Sequence, residues 1–75
     1  MTETEKHELD LRELEPPEPM IRILTTLEAL SPGGEIIALL PRNPVYFLPR
    51  LEEAGHAYQV TERAPDLWEL RITKA

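Results

Sequence analysis

A chain of 75 residues with a net charge of −6 and no cysteine makes one small domain, which buries roughly 60% of its unfolded surface and so depends on a well-filled core. The missing thiol excludes a disulfide framework, a thiolate nucleophile, a persulfide and any cysteine-ligated zinc or iron-sulfur centre. No stretch approaches the ~20 apolar residues that cross a bilayer, and the acidic start lacks the basic and apolar regions of a signal peptide, so a cytoplasmic location is expected.

The charge is concentrated at the entrance. Residues 1–19 set seven acids against Lys6 and Arg12, a net −5, while residues 20–75 set seven acids against six bases, a net −1. Such a field repels nucleic-acid phosphates and anionic lipid, so neither nucleic acid nor membrane is an expected partner. Residues 1–7 read as a disordered acidic tail, leaving residues 8–74 as a single domain. The alternation Leu9-Asp10-Leu11-Arg12 predicts a first strand. Helix 1 follows at the prolines, with Pro17 in the first turn, where a backbone N–H has no intrahelical partner. Met20, Ile23, Leu24, Leu27 and Leu30 then form its apolar stripe. Ser31-Pro32-Gly33-Gly34 ends it.

Glu35 to Leu40 carries five consecutive apolar residues, too few for a helix, and predicts a central strand closed by Pro41. Asn43-Pro44 leads toward a second helix ending at Gly55. Because an interior proline costs ~3 kcal/mol, Pro49 puts the regular start of that helix near Leu48. Val45 to Phe47 are then expected in an irregular turn that packs apolar side chains, with Leu48, Leu51 and Ala54 as the apolar members of the helix. Tyr58 and Val60, a turn at Ala64-Pro65-Asp66, and Trp68, Leu70 and Ile72 predict an antiparallel hairpin. The sum is an α+β fold, βαβαββ: a two-layer sandwich with two helices on one face of a four-stranded mixed sheet.

The run from Leu9 to Pro19, then Gly34-Glu35 and Asn43-Pro44, resembles the TusA/SirA-like superfamily, whose first helix opens with Cys-Pro-x-Pro. Here Pro16 stands where the cysteine would be. Together with the ending Pro65-Asp66-Leu67-Trp68-Glu69-Leu70-Arg71-Ile72, the pattern is most similar to an uncharacterised TusA-related family that has lost the cysteine and occurs alone or appended to hemerythrin-like domains. The resemblance implies the two-layer sandwich and transfers no established activity. In the sulfur carriers of that superfamily the helix N-terminus supports a thiolate; Pro16 offers no nucleophile to activate. Pro17 and Pro19 lack amide protons and Glu18 already complements the dipole, leaving only the Glu18 and Met20 amides available for an anion.

A shallow ligand or partner pocket at this helix start would be lined by Arg12, Glu18 and Arg42, with Pro16, Pro17 and Pro19 as its rigid frame. A second surface arises on strand 2, where Ile37 and Leu39 face away from the helices, flanked by Asp10 or Arg12 and by Gln59, Thr61, Glu69 or Arg71. An apolar centre with a polar rim has the form of an interaction surface, although long Arg and Glu stems can also cover it. No metal or cofactor is expected. His7 in the tail and His56 after Gly55 are not fixed as a ligand pair, and His56 suits a helix C-terminus. Glu52 and Glu53, adjacent on a helix, point about 100° apart and form a solvated face. Ser31 has no neighbouring base. The expectation is a non-enzymatic binding or accessory module, acting through an unknown protein partner or a small ligand near helix 1. The alternative is an accessory protein of sulfur or redox metabolism whose reactive group a partner supplies.

Overall fold

The computed structural model describes residues 5–75. Its elements are β1 (Lys6–Asp10), α1 (Glu18–Ala29), β2 (Glu35–Leu40), α2 (Leu48–Glu53), β3 (Ala57–Ala64) and β4 (Leu67–Thr73), the expected βαβαββ order. The sheet runs β1-β2-β4-β3. β1 pairs parallel with β2, β2 antiparallel with β4, and β4 antiparallel with β3. No helix among the described residues is long and apolar enough to cross a membrane.

Alternation decides which side chains face the helices, since successive residues of a strand point to opposite faces. Ile36, Ala38 and Leu40 of β2 and Leu70 and Ile72 of β4 are buried with Ile23, Leu27 and Leu30 of the first helical segment and Leu51 of α2. Across the ladder Ile36 faces Ile72, Ala38 faces Leu70 and Leu40 faces Trp68. Ala38 is the small member of each row it joins. Leu11 and Phe47, both in loops, complete the buried cluster.

The first strand begins earlier than the leucine alternation predicts. Lys6 and His7, assigned to a disordered tail, pair with Glu35 and Ile36; residues 1–4 of that tail lie outside the described residues. His7 is exposed on an edge strand, so no apolar alternation marks its place. After Asp10 the Leu11 amide still donates to the Leu39 carbonyl at 2.9 Å, and the chain turns at Arg12.

Both helices sit close to their expected places with different caps. Pro17 is the N-cap of α1 rather than its first residue, and Pro19 lies in the first turn. Either position tolerates a residue without an N–H. α2 starts at Leu48 as Pro49 requires, but Ala54 is its exposed C-cap instead of an apolar contact, and of Val45 to Phe47 only Phe47 packs inward.

The end of α2 is a Schellman motif: the His56 amide donates to the Leu51 carbonyl and the Gly55 amide to the Glu52 carbonyl, both at 3.0 Å, with Gly55 at φ +82°. A Cβ at Gly55 would meet only Ala75 Cβ at 3.8 Å, so its cost is backbone strain alone. Gly55→Ala is expected to destabilise the domain by about 1 kcal/mol, read from the urea midpoint. After this turn His56 Nδ1 accepts the Ala75 backbone N–H at 3.0 Å.

Candidate functional site: a groove at the start of the first helix

Because β1 and β2 are parallel neighbours, their C-terminal ends lie at the same end of the sheet, and the loops leaving them, residues 11–17 and 41–47, run side by side. Ligands in open α/β sheets favour this crevice beyond the strand ends. Here it is a groove of about 770 Å³, within the ~300–1,000 Å³ of small-molecule sites. The first loop contributes Leu14, Pro16 and Pro17, the second contributes Pro44, Tyr46 and Phe47, and α1 contributes Met20, Ile21 and Leu24.

Arg12, Pro16, Pro17, Pro19 and Arg42 all border this groove. Glu18 does not line it. The arginines are not equivalent. Arg12 donates through Nε to Asp10 Oδ1 and through Nη2 to Asp10 Oδ2, both at 2.8 Å, a bidentate pair that commits one edge of its guanidinium and answers its charge with a carboxylate. Arg12 is therefore a poor ligand for an incoming anion, contrary to the sequence expectation. Arg42 and Arg50, both exposed on the other loop and α2, form no ion pair among the described residues.

Hydrogen bonding to Arg12 pushes the Asp10 carboxyl down to about 2. A folded pKa depressed from 3.8 contributes stability that is present above pH ~4 and lost as pH falls toward 2. Asp10→Asn is expected to flatten the dependence of the urea midpoint on pH between ~4 and ~2. An unchanged slope would show that Arg12 does not hold the carboxylate in solution. Hydrogen bonding to Ser31 likewise lowers Glu5, whose Oε1 accepts the Ser31 N–H at 3.3 Å.

The helix start offers less to an anion than the sequence suggests. The Glu18 amide donates to the Glu15 carbonyl at 2.9 Å and the Met20 amide to the Pro17 carbonyl at 3.1 Å, so the two donors expected to be available are occupied. What remains is an apolar hollow. Its exposed large apolar members were not singled out from sequence: Tyr46 is 94% exposed and Ile21 48%. Three apolar residues in one turn cannot all point inward, since successive side chains near helical geometry rotate by about 100°; that was the available signal for Tyr46.

The second surface is the helix-free face of the sheet. Ile37 lies between Glu8 and Arg71, and Leu39 between Asp10 and Glu69. Both apolar residues are half-buried. Arg12 is not part of this row; it sits in the turn and holds Asp10. Glu69 is held by Arg63 Nη2 at 3.0 Å. Of the groups set aside from chemistry, Glu52 accepts the Tyr58 hydroxyl at 2.7 Å, which raises the Tyr58 pKa.

A βαβαββ two-layer sandwich whose first helix opens on Pro16-Pro17 is a cysteine-free protein of the SirA-like fold. The chain is similar in structure to a SirA-like protein from Desulfitobacterium hafniense, with TM-score 0.77 and 22% identity over 89% of this chain and 95% of the other. It belongs to the DUF2249 family, described as uncharacterized conserved proteins, which it matches over residues 8–74. No curated protein matches it.

Proposed function

We propose that this protein is a non-enzymatic binding or accessory module that takes a partner or a small ligand in the groove beside the start of α1. The carrying observation is the composition of that groove. Its walls are prolines and apolar side chains, Tyr46 and Ile21 stand exposed at it, and the helix-start amides are already bonded. Pro16 provides no nucleophile, and neither histidine lines the groove. An apolar hollow bordered by arginine and an exposed tyrosine has the make-up of a recognition site, where aromatic and arginine side chains dominate the binding energy.

Native mass spectrometry on protein purified from its own host tests this reading. A reproducible bound molecule or partner is expected on the wild type and lost on Tyr46→Ala. Because Tyr46 is nearly fully exposed, that substitution should move stability by no more than ~0.5 kcal/mol. Retention of the adduct on Tyr46→Ala would place the binding surface elsewhere.

A further inference from the structure

We infer that the groove is occupied by a second copy of this chain, the Tyr46 ring of each copy resting on the Pro16-Pro17 wall of the other; this rests on the groove being the binding surface and names its partner. The shape is self-complementary. Tyr46, 94% exposed, is a projection beside the hollow it borders, and Ile21 at 48% extends the apolar surface there. A two-fold interface requires a knob and its hole on the same face, because one patch must serve both copies.

The charges favour the same pairing. The first loop carries Glu13 and Glu15 and the second loop with α2 carries Arg42 and Arg50, all exposed and all without an ion pair among the described residues. Arg12, beside this acidic rim, is already engaged by Asp10. A two-fold axis along the groove sets the acidic rim of each copy against the basic rim of the other, twice over. An occupant of one sign would meet a repelling rim, whereas a second copy matches both.

Size sets the strength. A standard interface takes about 800 Å² per partner, roughly 15% of the 5243 Å² surface here, and a groove with its rims lies at or below that. The dimer is accordingly concentration-dependent, and it weakens at high salt, where the Debye length shrinks to about 3 Å at 1 M.

Sedimentation equilibrium from micromolar to millimolar protein reads the mass directly. The wild type should approach twice 8.6 kDa at low salt. The variants Arg42→Glu with Arg50→Glu, and Glu13→Arg with Glu15→Arg, should each weaken association by about tenfold or more. Their equimolar mixture should restore the doubled mass, because each changed rim then meets its complement. Tyr46→Ala should reduce association without altering charge, and Ile37→Lys, on the other face, should not. A wild type that stays monomeric, charge variants that still dimerise alone, a folded mixture that stays monomeric, or dissociation by Ile37→Lys alone would overturn the pairing. A monomeric wild type that still carries a Tyr46-dependent adduct from its host would remove only the self-pairing; neither dimer nor adduct would remove the groove reading as well.

Discussion

Leu70→Ala is expected to lower the free energy of unfolding by about 3 kcal/mol or more. Leu70 is fully buried on β4, a strand paired on both sides, where it faces Ala38 across β2 and Val60 across β3. Alanine removes transfer energy and leaves a cavity in a sheet that cannot readily collapse onto it, a combination that costs about 2–5 kcal/mol for buried leucine. A chain of this length holds only about 4–11 kcal/mol in total. The variant should therefore show a large drop in urea midpoint, and Leu70→Met, which conserves volume, should lose less than about 1.5 kcal/mol. Equal losses from the two would mean that the site tolerates no side chain but leucine and that cavity volume is not the cause.

Lys74→Met should cost about 2 kcal/mol, through a cap that spans the molecule. α1 has no basic residue in its last turn, yet its C-terminal carbonyls are not left to water. Lys74 Nζ donates to the Leu27 and Leu30 carbonyls, both at 2.6 Å. Its backbone is anchored beside the start of β2: Gly33 N–H donates to the Lys74 carbonyl and Lys74 N–H to the Gly34 carbonyl, both at 2.8 Å. A half-buried ammonium on two carbonyls at the negative end of a helix combines charge-assisted hydrogen bonds with the helix dipole. Methionine keeps the length and removes the charge. A change within ~0.5 kcal/mol would show the ammonium solvated and the helix end capped by water.

The same contact explains Gly34. A Cβ there would come within 2.8 Å of Leu30 Cδ2 and 3.0 Å of the Ser31 carbonyl, so the absence of a side chain lets the end of α1 lie directly against the strand it feeds. The Pro-Gly-Gly turn was legible as a helix stop. That its second glycine is a packing requirement, and that a lysine forty residues on would cap the helix, were not, because both depend on where β4 ends relative to α1.

The groove was legible only in part. Pro16, Pro17, Arg12 and Arg42 could be named from the helix-opening motif and from the strand that ends at Pro41. Their availability could not. The Asp10–Arg12 pair is local in the chain, but its bidentate geometry depends on the turn that follows β1. The exposure of Tyr46 accompanies Phe47 taking the inward position in its turn, where it joins the buried cluster that includes Leu40 and Leu51.

Local sequence by itself determined the order of the elements, the inward faces of β2 and of the hairpin, and the absence of thiol chemistry, because side-chain periodicity and residue identity act without reference to distant parts of the chain. It also carried the proline that sets the start of α2. Tertiary structure alone decided that the loops after β1 and β2 form one groove, that Arg12 is engaged while Arg42 and Arg50 are not, and that Lys74 closes α1. The groove follows from parallel pairing of two strands separated by a helix, the Arg12 pairing from the turn after β1, and the lysine cap from where β4 ends relative to α1; the last brings together side chains whose distance along the chain says nothing about their distance in space.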